Sequence, residues 1–199
     1  MRPVRRLPAL VVAAALALLL ASCTASPPAS LTVTPGDGQV TVAFAEDGTA
    51  IRYEVMAMPG GHSTVGLPSL RLAGLTNGTA YTISVRALGD LGWSDWTVHP
   101  TAVVPVGPPT APTITAVTGV VDLHGCTAEV VFTAGSDGGS PVTRYEVVTS
   151  ADPDAVVVGA DSPIQVPALA PHTSYDFTVR AVNAKGTGPA SATYTAPCS

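Results

Sequence analysis

"LRLAGLTNGTAYTISVRAL", residues 70–88, returns at residues 164–182 as "IQVPALAPHTSYDFTVRAV", and the two stretches align without a gap. Leu70 falls on Ile164, Leu75 on Leu169, Tyr81 on Tyr175, Ile83 on Phe177, Val85 on Val179, and Arg86-Ala87 on Arg180-Ala181. Upstream of each copy stands "RYEV", at 52–55 and again at 144–147. One structural unit is therefore used twice. Within it Tyr81, Ile83, Val85 and Ala87 alternate with Thr82, Ser84 and Arg86, the period-two pattern of a strand with one buried face. Val40, Val42 and Phe44 repeat the pattern, and no helical period occurs downstream of Ala21.

Short alternating runs, separated by Gly, Pro, Asn and Asp turns over roughly ninety residues, predict an all-β antiparallel sandwich in each copy. The expected strands of the first copy lie at 31–34, 39–45, 51–58, 62–66, 69–74, 80–88 and 96–104. Those of the second lie at 113–118, 127–134, 142–150, 155–158, 163–168, 174–182 and 191–196. The corners "LTNGTAY" (75–81) and "LAPHTSY" (169–175), the "VRA" that follows each, and "GTGPAS" (186–191) make both copies resemble fibronectin type III domains. The resemblance implies a corner tyrosine whose hydroxyl bonds back to the turn before it. Phe44 and Phe132 stand where that family commonly has a buried tryptophan, a departure that keeps an aromatic ring.

Ahead of the repeats, Arg2, Arg5 and Arg6 precede an apolar stretch from Leu10 to Ala21, the pattern of an export signal and too short to span a bilayer. It ends in "LASC" (20–23), which resembles the lipobox of bacterial lipoproteins. That resemblance implies cleavage before Cys23, lipid on its thiol, and attachment to the outer face of the cell membrane. Of three cysteines, Cys23 then has its own use, and Cys126 and Cys198 are left to form a disulfide. In a seven-stranded sandwich the turn before the second strand and the end of the seventh share one pole, so the two can meet. The expected organisation is a signal peptide (1–22), a lipidated tether (23–30), a first domain (31–104), a proline-rich linker (105–112) and a second domain (113–199). The tether reaches about 20 Å at most, and the linker "PVGPPTAP" favours an extended, semi-rigid spacer.

Of nine basic residues the signal takes three, leaving six against fourteen acidic ones, a net charge of −8. Such a chain has no basic patch for nucleic acid. His62, His99, His124 and His172 lie in separate turns, and the acids of "PGDG" (35–38) and "GSDGGS" (135–140) lack the alternation of a calcium loop. No catalytic set, metal site or cofactor is expected. The chemistry that stands out is "GWSDWT" (92–97), holding Trp93 and Trp96, the only two tryptophans.

With Arg86 on the strand before it, this segment resembles the Trp-Ser-x-Trp-Ser element of class I cytokine receptor domains. The resemblance implies an arginine stacked between the two indoles. Polyproline II geometry, repeating every three residues, would align the rings on one side. Arg86 faces outward by alternation, and so do Met56, Met58 and Leu88, so these four with Trp93 and Trp96 form the candidate binding face. Clamp and partner site are both consistent with this pattern. The functional expectation is a non-catalytic module that binds protein or glycan at the bacterial cell envelope. A passive spacer, or an enzyme with loop-borne residues, are the alternatives, because a sandwich hosts many functions.

Overall fold

The computed structural model describes residues 25–46 and 48–199; the apolar leader and Cys23 lie outside them. Among the described residues there is no helix, hence none long and apolar enough to cross a membrane. In the first repeat one sheet runs in the order β1 (Ala29–Gly36), β2 (Gln39–Ala45), β5 (Leu70–Ala73). The other runs β4 (His62–Gly66), β3 (Arg52–Met58), β6 (Thr82–Gly89), β7 (Gly92–Trp93), with β8 (Thr97–Val98) also paired to β6. The second repeat has β13 (Ile164–Leu169), β10 (Gly125–Thr133), β9 (Thr113–Asp122) in one sheet. Its other sheet orders β12 (Asp152–Gly159), β11 (Val142–Thr149), β14 (Thr173–Asn183), β15 (Gly186–Thr187), with β16 (Tyr194–Cys198) on β14. By packing, one compact unit takes the chain to Thr34, 41–72 and 81–103; the other takes 35–40, 73–80 and 104–199.

The alternation read from the sequence is the alternation of burial. Ile83, Val85 and Ala87 on β6 are wholly buried, as are Val55 and Ala57 opposite them on β3. The second repeat does the same with Phe177, Val179 and Ala181 against Tyr145 and Val147. Each wholly buried aliphatic side chain contributes about 2 kcal/mol, and a slip of one residue would turn them all to solvent. Phe44 and Phe132 each pack on a tyrosine: Phe44 lies 4.6 Å from Tyr53 and Phe132 4.8 Å from Tyr145.

Three features depart from the expected strands. The last strand of the first repeat is not continuous over 96–104 but is two short pieces, β7 and β8, followed by a bridge between Tyr81 and Val103. The β9–β10 hairpin runs on to Asp122 and Gly125, with Val120 opposite Thr127. Residues 105–110 are not a free extended spacer. Pro105 and Pro109 are wholly buried, Gly107 N–H donates to Gly138 O (2.9 Å), and Thr110 N–H donates to Ser136 O (2.9 Å). Buried Asn183 supplies the reason: its side-chain amide donates to the carbonyls of Gly107 (2.9 Å), Asp137 (2.8 Å) and Ser140 (3.2 Å). Gly138 sits at φ 70°, and a Cβ there would collide with the Gly107 and Pro108 carbonyls.

Candidate functional site: an arginine between two tryptophans

Strand alternation sends Arg86 outward, and antiparallel register sets Glu54 of β3 directly across from it. The pair is tight: Arg86 Nη2 lies 2.6 Å and Nε 2.7 Å from Glu54 Oε2, with side-chain exposures of 29% and 17%. On the other flank Trp93 pairs with Leu88 at the end of β7, and Thr97 rejoins β6 opposite Val85. Ser94 carries the chain between them. Its N–H donates to Ala87 O (2.7 Å), and its hydroxyl accepts from Ala87 N–H (3.0 Å) while donating to Asp95 O (2.8 Å). One serine therefore stands in for a rung of the ladder while residues 94–96 leave the sheet.

That detour brings both indoles to one side. Arg86 Cζ lies 4.6 Å from the Trp93 ring centroid and 4.4 Å from that of Trp96. A planar cation with an indole against it at each of these distances and a carboxylate on its nitrogens uses most of its recognition chemistry within the chain. Each stack contributes about 0.5–2 kcal/mol. Around the ladder Met58 is 49% exposed and Trp93 37%, while Met56 and Leu88 are half-buried. Thus five of the six residues of the expected face lie on one sheet, Met56 opposite Ser84 and Leu88 opposite Arg52, and Trp96 joins them from the detour through its stack on Arg86.

The second repeat keeps the charges and lacks the rings. Glu146 binds Arg144 (2.8 Å) and Arg180 (3.5 Å), whereas the residues after β14 are Gly186 to Ser191. Sequence reading missed Glu54, which the same alternation turns outward, as the partner of Arg86. The signal was there in the aligned pairs Glu54/Arg86 and Glu146/Arg180, both of which are cross-strand neighbours. Ser94 was missed as a backbone acceptor.

Cys126 and Cys198 form a disulfide, with Cα atoms 6.0 Å apart. The corner of the second repeat closes as its resemblance implied, Ala170 N–H donating to Tyr175 Oη (3.0 Å). In the first repeat Asn77 ties its corner to the Asp37-Gly38 turn, accepting from Gly38 N–H (2.8 Å) and donating to Asp37 (2.7 Å). The histidines are dispersed: His62 meets the Tyr81 ring edge at 6.1 Å, His99 Nδ1 lies 2.8 Å from Thr101 O, and His124 neighbours Asp122. Among the described residues no three His, Cys, Asp or Glu gather as a metal site. A hollow of about 130 Å³ lined by Pro112, Ile114 and Tyr194 is smaller than ordinary ligand pockets.

Residues 110–196 match the family model of the fibronectin type III domain. Endoglucanase B of Cellulomonas fimi is 29% identical over 177 residues, which covers 84% of this chain and 16% of the endoglucanase. The chain thus spans a small part of that relative. Among solved structures, the FN1–FN3 domains of chicken CNTN1 align at 16% identity over 86% of this chain and 65% of that one, with a TM-score of 0.49. A two-domain fibronectin type III segment of chicken tenascin aligns at 20% identity over 85% of this chain and 98% of that one, with a TM-score of 0.39. The chain is an all-β protein of antiparallel sheets that carries a fibronectin type III domain over residues 110–196.

Proposed function

We propose that this chain is an exported lipoprotein that presents two fibronectin type III domains, without catalysis of its own, as a protein- or glycan-binding module at the bacterial cell envelope. Lipid on Cys23 would hold it to the outer face of the membrane. The observation that carries the binding reading is the inequality of the two repeats. The first sets Trp93, Trp96, Met56, Met58 and Leu88 around Arg86 on one outer face, and the second has Gly186 to Ser191 in place of the rings. Tryptophan, arginine and methionine are enriched where interfaces are centred and where a surface must adapt. Similarity to part of an endoglucanase over 84% of the chain cannot come from one repeat alone, and it supports a tandem accessory role.

A passive spacer is favoured by one specific fact, that Arg86 already occupies a face of each indole. The Met56→Ser/Met58→Ser double variant separates the two, because these residues lie beside the ladder without forming it. Binding predicts that the full chain loses recovery on isolated envelope material and on cellulose while its melting temperature holds. Unchanged recovery on both returns the face to a clamp. Intact mass of the membrane-extracted protein tests the anchor: a diacylglyceryl adduct on Cys23 is expected, and a free thiol there overturns it.

A further inference from the structure

We infer that the first repeat rests on the bilayer, with Ile51, Leu67 and Leu91 as an apolar row set into the lipid interface. The inference rests on the Cys23 lipid proposed above. Leu67 is 72% exposed, Leu91 71% and Ile51 51%, and each comes from a different turn. Register brings them to one end of one sheet. Ile51 precedes β3, and its N–H donates to Leu88 O (2.7 Å) at the end of β6. Leu67 follows Gly66, which pairs with Tyr53 at the start of β3, and Leu91 lies in the turn between paired Gly89 and Gly92. Adjacent strands are about 4.8 Å apart, so the row is no wider than about 15 Å. Single exposed leucines are ordinary on a protein surface. Three from separate turns at one end are a patch that something covers.

The chain itself says what covers it. Strand β1 is joined to β2 by the two-residue turn Asp37-Gly38, and β2 leads through 46–51 into β3. The start of β1 therefore lies at the same end as the three residues. The segment before β1 is already tied down, Ala25 being 4% exposed and Pro28 buried. Only Thr24 stands between Ala25 and Cys23, so a lipid on Cys23 enters the bilayer within about 7 Å of a residue packed in the protein. The tether has no slack to hold this end away from the headgroups. Glu46 and Asp90 are exposed there beside Arg52, so the contact is apolar and needs no anionic lipid. Side chains held this way reach roughly 5–10 Å into the interface.

The test uses the full-length lipidated protein in phosphatidylcholine vesicles, with Leu67→Cys, Leu91→Cys or Met58→Cys carrying an environment-sensitive fluorophore. With Cys126 and Cys198 in their disulfide and Cys23 lipidated, the introduced thiol is the one that labels. Met58 is 49% exposed at the far end of β3, about 20 Å from the row. The expected result is blue-shifted emission, quenched by nitroxide lipids, at 67 and 91 but not at 58. It should be insensitive to added phosphatidylglycerol, and the shift at 91 should fall when Ile51 and Leu67 become serine. Water-like emission at 67 and 91 in protein that floats with the vesicles overturns the row and leaves the anchor standing. Protein that does not float overturns both.

Discussion

At the scale of single residues, the corner turns of the two repeats show one backbone demand answered by two side chains. Gly78 sits at φ 80°, and the aligned residue of the second repeat is His172, at φ 57°. The left-handed region costs a residue with a Cβ about 1–2 kcal/mol, against about 0.5–1 kcal/mol of unfolded-state entropy for glycine. His172→Gly should therefore raise stability by up to about 1 kcal/mol in urea denaturation. Its N–H bond to Cys198 O (2.8 Å) is kept, and a loss of stability would mean that the imidazole itself holds the corner. Arg86 gives the opposite case, in which the side chain is everything. Arg86→Lys retains a charge for Glu54 but loses the plane that both indoles touch, a cost of about 1–2 kcal/mol. Tryptophan emission in denaturant should report it, because both rings of the chain lie in this ladder.

At the scale of elements, period-two alternation was enough to find the strands, because the buried face of β6 and β14 is uninterrupted apolar sequence. The disulfide was legible for a simpler reason: once the lipobox resemblance sets Cys23 aside, two cysteines are left and one pole to put them in. What stayed hidden depends on distant partners. Proline-rich composition at 105–112 reads as an extended spacer, and distant partners, Ser136, Gly138 and Asn183, the last 76 residues downstream of Gly107, turn it into a packed segment. The seventh strand of the first repeat misled because its rung is made by a hydroxyl, which carries no periodicity. Ser94→Ala tests that account. It leaves the N–H of wholly buried Ala87 without its acceptor, at a cost of about 1–2 kcal/mol. Faster hydrogen exchange at Ala87 is expected, and unchanged protection there would show that the hydroxyl is incidental.

At the scale of the whole molecule, the two units carry different reporters and different constraints. Trp93 and Trp96 belong to the unit of residues 41–72 and 81–103, whereas Cys126 and Cys198 belong to the other. Both cysteines are 1% exposed, in the same buried cluster as Val130 and Phe177. Their bridge, across a separation of 72 residues, removes about 4 kcal/mol of unfolded-chain entropy in the loop-closure model. A chain of two units need not unfold in one step, so a single midpoint is not the quantity to compare. Circular dichroism follows strands of both units, and tryptophan emission follows the first alone. In the Cys126→Ala/Cys198→Ala variant the dichroism should split, one component moving to lower denaturant by an amount worth about 4 kcal/mol. The tryptophan transition should keep its midpoint. If the emission midpoint moves together with the dichroism, the units unfold as one cooperative body and the bridge stabilises both. If neither moves, the bridge constrains nothing the unfolded chain would otherwise explore.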